Sequence, residues 1–342
     1  MQGKSSPVPP DDPVSAKLFA SIPFLLLLCG ASSAPGRIPV SAEASPVLAK
    51  IYSFDFEGAI RDARLLQQSS PEDPIGYLLE AEALGWKRWC LAADFKYGFT
   101  DARLHSKLPS DKQYLDLAEK VSALAEKHLK QEDSARMEFY AGMGDALAAR
   151  LYGLRGENRN VARAGVKARG HFLRALHLDP GMADADFGIG LYNYYVDTLS
   201  AVAKILRFFM GIPGGSKEEG LRQLETAIAQ GDLARQDASF YLALNLLKYD
   251  RQYERALQII SPLAQLYPQN PLFQLLRGDC YAKLGRNAQA AESYRAAAEA
   301  PVVDADCAAR IRELASAALA SLQPPLSASR LPAIDLQPLL ME

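Results

Sequence analysis

Two segments near the C-terminus recur at a fixed spacing, which restricts the possible folds more than any other feature of this sequence. Ala256-Leu-Gln-Ile-Ile260 and Ala290-Ala-Glu-Ser-Tyr294 begin 34 residues apart, and periods of about 20 to 50 residues are typical of stacked repeats. After residue 45 most segments are dominated by strong helix formers, and runs of alternating β-branched residues are missing. The sequence therefore predicts an all-α fold of helix pairs that bury their apolar faces against one another.

The unit around the second segment matches a known motif. Gly278 and Tyr281 supply the G-x2-Y of a first helix, and Ala290 and Tyr294 supply the A-x3-F of a second helix. This pattern resembles the tetratricopeptide repeat (TPR), a helix–turn–helix unit. Weaker matches to the second helix begin at Ala59, Ala168 and Gly220.

The resemblance implies both a fold and a role. Residues 45–322 are expected to form a TPR-like α-solenoid of about six helical hairpins, closed by a capping helix from about Asp304 to Ser321. The implied function is that of a non-catalytic scaffold for protein–protein interaction. Motifs of common enzyme classes, such as G-x-S-x-G, a Walker loop or H-E-x-x-H, do not occur in the sequence.

The first helices of such arrays usually line a concave face that binds peptides. We predict that the partner-binding groove is lined by Phe187, Leu191, Tyr194, Tyr195, Tyr241, Asn245, Lys248, Tyr249, Asp279 and Lys283. Aromatic side chains with one asparagine and a few charges suit an extended or helical peptide. The alternative is that these tyrosines pack between units, because an aromatic stripe at helical spacing is often part of a core.

An apolar segment, residues 197–216, interrupts one unit and adds roughly 18 residues between its two helices. It predicts a short amphipathic helix ended by Gly211, with Ser216 capping the next helix. The side chains that would contact a membrane or a partner are Leu199, Val202, Ile205, Leu206, Phe208 and Phe209. Two interpretations stay open: the helix folds back as extra core, or it presents its apolar face to a membrane surface or a partner groove.

The surroundings of this insert resemble a specific family. Phe187-Gly-Ile-Gly-Leu-Tyr-Asn-Tyr-Tyr195 precedes it and Gly214-Gly-Ser-Lys-Glu-Glu-Gly-Leu-Arg-Gln-Leu224 follows it, and Tyr52-Ser-Phe-Asp-Phe-Glu-Gly-Ala59 is similar too. Together they look like bacterial relatives of the inclusion-body-clearance, or tetratricopeptide-39, family. This resemblance implies a helical-repeat fold without a catalytic centre. In eukaryotic members it also implies association with membranes and lipid droplets.

The N-terminal region suggests export. Lys17 precedes an apolar run, Leu18 to Ala31, which is too short to span a membrane but suits the core of a signal peptide. We therefore predict a signal peptide and linker over residues 1–44 and a periplasmic or envelope-associated protein. Lipidation at Cys29 is a weaker alternative, and a disordered apolar tail is another. Residues 323–342 are rich in Pro, Ser and Leu and are predicted to be a flexible tail.

Charge and metal-ligand patterns exclude several functions. The chain has 38 Lys and Arg against 40 Asp and Glu, a net charge of −2, so its overall charge does not favour nucleic acid. No cysteine pair has C-x-x-C spacing, and His171 and His177 fall on different helix faces, so no metal or cofactor is predicted. Cys280 and Cys307 are a candidate disulfide in an exported protein. The basic stretch from Arg150 to Arg174 predicts either a solvated face or a patch for an anionic partner.

Overall fold

The computed structural model describes residues 44–94, 101–102 and 107–322, and this part of the chain is mainly helical. The α-helices are α1 (Ala44–Tyr52), α2 (Phe56–Ser69), α3 (Ile75–Ala92), α4 (Asp111–Leu129), α5 (Ala135–Leu154), α6 (Asn158–Leu178), α7 (Ala183–Asp197), α8 (Ala201–Phe209), α9 (Lys217–Gln230), α10 (Arg235–Asn245), α11 (Tyr253–Leu266), α12 (Pro271–Lys283), α13 (Asn287–Ala298) and α14 (Ala305–Ser321). A π-helix (Leu246–Asp250) continues α10, and the short strands β1 (Ala93–Asp94) and β2 (Asp101–Ala102) pair antiparallel. The predicted all-α class is confirmed.

The helices pack against their neighbours in chain order. The described pairs are α1 with α2, α3 with α4, α5 with α6, α7 with α9, α10 with α11, and α12 with α13. Each pair also packs on the next, and α14 packs on α13. The last helix begins where its sequence predicts, because the Asp304 side chain caps it by accepting a hydrogen bond from Cys307 N at 2.9 Å.

Within the pairs, glycines face aromatic rings. A methyl group on Gly278 would lie 2.5 Å from the Tyr294 ring of its partner helix, and one on Gly142 of α5 would lie 2.7 Å from the Phe172 ring of α6. Because both distances are far shorter than a van der Waals contact, only glycine allows these helices to approach so closely. The G-x2-Y and A-x3-F positions of the sequence therefore meet as small-against-large contacts.

Helix α3 also packs against helices that are not its neighbours in the chain. Fourteen of its 18 residues are buried, including the charged Glu82 and Arg88. Trp86 packs edge-on against Phe273 of α12 at a ring-centroid distance of 5.5 Å. Trp89 Nε1 donates to the hydroxyl of Tyr241 of α10 at 2.9 Å. An early helix thus covers the faces of two first helices that lie far along the chain, so long-range contacts supplement the nearest-neighbour contacts of a simple repeat array.

A disulfide joins α3 to α14. Cys90 pairs with Cys307 across 217 residues, with their Cα atoms 5.7 Å apart, a normal separation for a disulfide. Lys87 and Asp304 form an ion pair at 2.5 Å beside it. The candidate pair Cys280–Cys307 is therefore wrong: α3 brings Cys90 to Cys307, and Cys280 is buried as a free thiol.

Candidate partner-binding surface

The insert leaves the α7–α9 pair where two glycines bring the helices together. A methyl group on Gly190 would lie 2.9 Å from the carbonyl oxygen of Gly220. Between these helices, α8 forms within the predicted insert, and Gly211 ends it with a positive φ of 66°. Ser216 then caps α9, as predicted, by accepting a hydrogen bond from Glu219 N at 3.4 Å.

Both ends of the insert are held by hydrogen bonds. The carboxylate of Asp197 accepts from Lys204 Nζ and from the backbone N of Lys217, each at 2.9 Å. The hydrogen bond from Lys217 N and the one from Lys204 hold the pKa of Asp197 below its usual value. Tyr192 also donates its hydroxyl to the carbonyl oxygen of Pro213 at 2.8 Å. The insert is therefore anchored at its base.

A second anchor joins α9 to the π-helix. Lys217 Nζ pairs with the buried carboxylate of Asp250 and lies 5.6 Å from the centre of the Tyr194 ring. The hydroxyl of Tyr194 donates to the same carboxylate at 3.1 Å. Burial and the adjacent Asp250 charge raise the pKa of Tyr194, so its hydroxyl stays protonated and can donate this hydrogen bond.

Exposed apolar side chains lie on the insert and on the adjoining helices. Phe208 is 77% exposed and Met210 is 63% exposed, both on the insert. We define the α8 surface as the exposed side chains Tyr195, Leu199, Phe208, Met210 and Tyr249. Large apolar groups concentrated on an anchored element mark interaction sites more often than isolated exposed ones do.

The π-helix shapes one edge of this surface. It runs from Leu246 to Asp250 and ends at Arg251 with a positive φ of 55°. Before it, the buried Asn245 accepts a hydrogen bond from the hydroxyl of Tyr195 at 3.0 Å. Because a π-helix has a wider turn, it changes the direction of the side chains that follow, and such segments are frequent at functional sites. Nothing in the local sequence signalled it.

The structure brings together some of the predicted groove residues. Tyr194 lies between Tyr195 and Tyr249, with ring-centroid distances of 5.5 Å and 6.2 Å. Asn245 bonds to Tyr195, and the Lys248 ammonium lies 4.9 Å from the centre of the Tyr249 ring. These five side chains form one connected group, which includes the two tyrosines that come just before the insert in the chain. Their role in binding a partner stays a prediction.

The other predicted groove residues lie elsewhere. Phe187 and Tyr241 are buried together, with ring centroids 5.9 Å apart. Asp279 is buried in α12 and accepts from the hydroxyl of Tyr294 at 2.7 Å. Leu191 is partly buried in α7, and Lys283 is the last residue of α12. They are not part of the α8 surface.

Part of the predicted contact set on the insert can be located only by its backbone. Leu199 and Phe208 are exposed. The side chains of Val202, Ile205, Leu206 and Phe209 lie outside the described part of the structure, although their backbones belong to α8. Cys29 and the signal-peptide and tail segments also lie outside the described residues.

Most cations of the basic stretch are ion-paired. Arg150 donates to Glu82 at 2.6 Å, and Arg155 pairs with Asp111. Lys167 contacts Glu126 at 3.0 Å and Arg174 contacts Asp133 at 3.1 Å. Arg159, Arg163 and Arg169 have no carboxylate partner among the residues that the structure describes. This stretch is therefore only partly neutralised.

A buried charge cluster lies beneath α3. Glu82 of α3 and Asp237 of α10 both interact with the Arg150 guanidinium of α5. Burial and then the Glu82 charge raise the pKa of Asp237 to about 7, against the opposing charge of Arg150. Two carboxylates thus share one guanidinium inside the protein, and one of them readily keeps a proton.

Neither the metal-ligating side chains, the helix lengths nor known proteins point to another kind of site in the described residues. No group of three metal-ligating side chains in the described ranges could hold an ion. Among the helices described, none is both long enough and apolar enough to cross a membrane. No family model matches the chain, and no curated protein matches it. The functional argument therefore rests on the α8 surface.

Proposed function

We propose that this protein is a non-catalytic scaffold of the tetratricopeptide type that binds a protein partner through the α8 surface. One observation carries the proposal: Phe208 is 77% exposed on an insert whose two ends are joined by hydrogen bonds to Asp197. The repeat type is supported by the helix pairs and by the contact of Gly278 with Tyr294. The α3 contacts distinguish this protein from a simple array.

The physical reason is the free energy available from covering these side chains. Fully burying a side chain the size of Phe or Met contributes about 1.5–3 kcal/mol. An anchored helix also loses little conformational entropy on binding, which leaves more of that free energy for affinity. Phe208 and Met210 together can therefore act as the central contacts of an interface, with Tyr195 and Tyr249 at its edge.

A membrane surface is the second candidate, because the same apolar side chains could enter a lipid interface. Peripheral helices that bind anionic lipid use free Lys and Arg on their polar face. Here Lys204 pairs with Asp197, Lys217 pairs with Asp250, and the Arg207 guanidinium turns back to the carbonyl oxygen of Ile212. These pairs weaken the attraction to lipid, so we favour a protein partner.

We also propose that the protein works outside the cytosol. The observation in favour is the Cys90–Cys307 disulfide, because structural disulfides persist mainly in oxidising compartments. Cell fractionation with a compartment marker tests this. Recovery of the whole pool in the cytosol, with both cysteines reduced, would contradict it.

The binding test compares two matched exposed residues. Full-length protein, Phe208→Ser and Leu266→Ser are used as bait under identical conditions; Leu266 is 64% exposed at the end of α11 and is not part of the α8 surface. If Phe208 is a central contact, its loss should weaken partner binding about 30-fold, as about 2 kcal/mol implies. Leu266→Ser should bind like the original protein.

The controls separate folding from binding and protein from lipid. Both variants should melt close to the original protein, because each replaced side chain is mostly exposed. Equal capture by Phe208→Ser and the original protein would refute the proposed surface. Flotation of the original protein, but not of Phe208→Ser, with phosphatidylcholine and phosphatidylserine vesicles would instead support the lipid alternative.

A further inference from the structure

Two arginines converge on Tyr192 at the base of the insert. Arg169 of α6 places its Cζ 5.3 Å from the centre of the Tyr192 ring. Arg207 of α8 donates from Nη1 to the carbonyl oxygen of Ile212 at 3.3 Å. The hydroxyl of Tyr192 donates to the carbonyl of the next residue, Pro213, at 2.8 Å. Three helices therefore contribute to one small region.

This region is positive and incompletely paired. The Nε atoms of Arg169 and Arg207 are buried and have no hydrogen-bond partner within the described residues. Burial raises the pKa of Tyr192 and both arginines oppose the rise, while no carboxylate of the described part of the chain acts on it. Buried polar groups normally have partners, so each of these two guanidinium groups has a donor that could bind an added acceptor.

We propose that Arg169 and Arg207 form an anion-binding site that receives a carboxylate of the protein partner. This inference rests on the proposed function, because the site is useful there only if a partner docks on the α8 surface. A guanidinium offers donors in a planar fork that matches the two oxygens of a carboxylate. Lys204 and Lys217 do not compete, because Asp197 and Asp250 already neutralise them.

Position in the chain connects this site to the α8 surface. Arg207 directly precedes the exposed Phe208 in α8, so a partner segment that covers this end of α8 can reach both residues. A partner segment that satisfies both has an apolar side chain next to Asp or Glu. We therefore expect the partner to contact this site with an acidic, amphipathic segment. An anionic lipid also offers a negative charge, but binding to lipid would not need a carboxylate from a protein.

The first experiment tests the site without any partner. The Nε–Hε signals of full-length protein are followed by nuclear magnetic resonance while glutarate, a simple dicarboxylate, is added. We expect the signals of Arg169 and Arg207 to move together and to saturate. The exposed Arg163 on α6 should show only the shift produced by sodium chloride of equal ionic strength. Identical behaviour of all three arginines would overturn the site.

The second experiment uses the partner captured through the α8 surface. Arg169→Gln and Arg207→Gln should each weaken its binding about tenfold and reduce the salt dependence, as loss of a charge-assisted contact implies. Arg163→Gln is the matched control and should bind normally. If all three arginine variants bind like the original protein and only Phe208→Ser loses binding, the anion site is refuted and the proposed function stands. If none of the variants, including Phe208→Ser, loses binding, both the anion site and the proposed binding surface are refuted.

Vesicles distinguish the source of the anion. Phosphatidylcholine vesicles with and without phosphatidylserine are floated with the original protein and with Arg207→Gln. We expect neither protein to float. Flotation that requires both phosphatidylserine and Arg207 would overturn the protein carboxylate and assign the site to lipid headgroups.

Discussion

Charged side chains are usually exposed and large apolar ones usually buried, and the regions of α3 and α8 each depart from one of these preferences. Helix α3 buries charged groups, such as Glu82 and Arg88, while the insert exposes Phe208 and Met210. The buried charges have partners within the chain: Arg150 for Glu82 and Asp111 for Arg88. The exposed apolar groups remain largely open to solvent: Phe208 is 77% exposed and Met210 is 63% exposed. A buried charge is thus explained by the fold, whereas the exposed apolar cluster is the feature on which our proposal of an external partner rests.

The largest expected effect is a difference in the free energy of unfolding between a substitution in α3 and one in α8. Trp86→Ala should lower the free energy of unfolding by about 3–5 kcal/mol, because it leaves a cavity between α3, α10 and α12. Phe208→Ala should change it by less than about 0.5 kcal/mol. Chemical denaturation measures both. Similar losses for the two variants would show that the insert is part of the core.

The disulfide should contribute the next largest effect. Replacing Cys90 and Cys307 together by Ala should cost about 2–4 kcal/mol, since the bond restricts a long loop in the unfolded chain. The original protein should lose the same stability when a reductant is added, and the double variant should not respond. A reductant effect of equal size in the double variant would mean that another thiol is responsible.

The cluster beneath α3 predicts a pH dependence. The folded pKa of Asp237, about 7, lies above its ordinary value of 3.8, so the native state keeps a proton that the unfolded chain releases. This contribution to stability is therefore full below about pH 4 and is lost as the pH rises towards 7. Asp237→Asn should flatten that decline. Between pH 4 and pH 8, the free energy of unfolding of the variant should therefore rise by about 1–2 kcal/mol relative to that of the original protein.

Urea unfolding at several pH values tests this expectation. Glu80 is the matched control: it is a buried carboxylate of α3, but it is bonded to Arg64 and Gln67 instead of facing Asp237. Glu80→Gln should leave the decline between pH 4 and pH 7 in place. A decline that persists unchanged in Asp237→Asn would contradict the assignment to Asp237.

The smallest effect concerns the anchoring of the insert. Asp197→Ala removes the acceptor for Lys204 and for Lys217 N, so α8 should open locally more often. Amide hydrogen exchange in residues 201–209 should accelerate roughly fivefold, as loss of about 1 kcal/mol implies. Exchange in α12 should not change. If α8 exchanged at the original rate, preorganisation could not explain partner binding.

Several local features were predictable because they depend on neighbours along the chain. The predicted capping of α9 by Ser216 and the approximate start of α14 agree with the structure. Gly278 and Tyr294 meet as the spacing of small and large residues suggested. Helical periodicity and cap chemistry act over a few residues, so a single sequence carries them.

Other features depend on contacts between distant segments. The pairing of Cys90 with Cys307 follows from the position of α3 against α14, which no spacing of cysteines encodes. The π-helix after Asn245 arises where α10 meets α7 and α9, and its residues have no distinctive composition. The convergence of Arg169 and Arg207 on Tyr192 likewise needs three helices to be in place.

The sequence by itself determined that this chain is helical, that its helices pair, and that an apolar insert follows Asp197. Only the tertiary structure decided which apolar and charged groups are covered. Tyr241 and Phe208 are both aromatic residues on predicted binding elements, yet one is buried and the other is 77% exposed. Burial depends on whether a complementary surface from elsewhere in the chain reaches the side chain, and α3 supplies that surface for Tyr241.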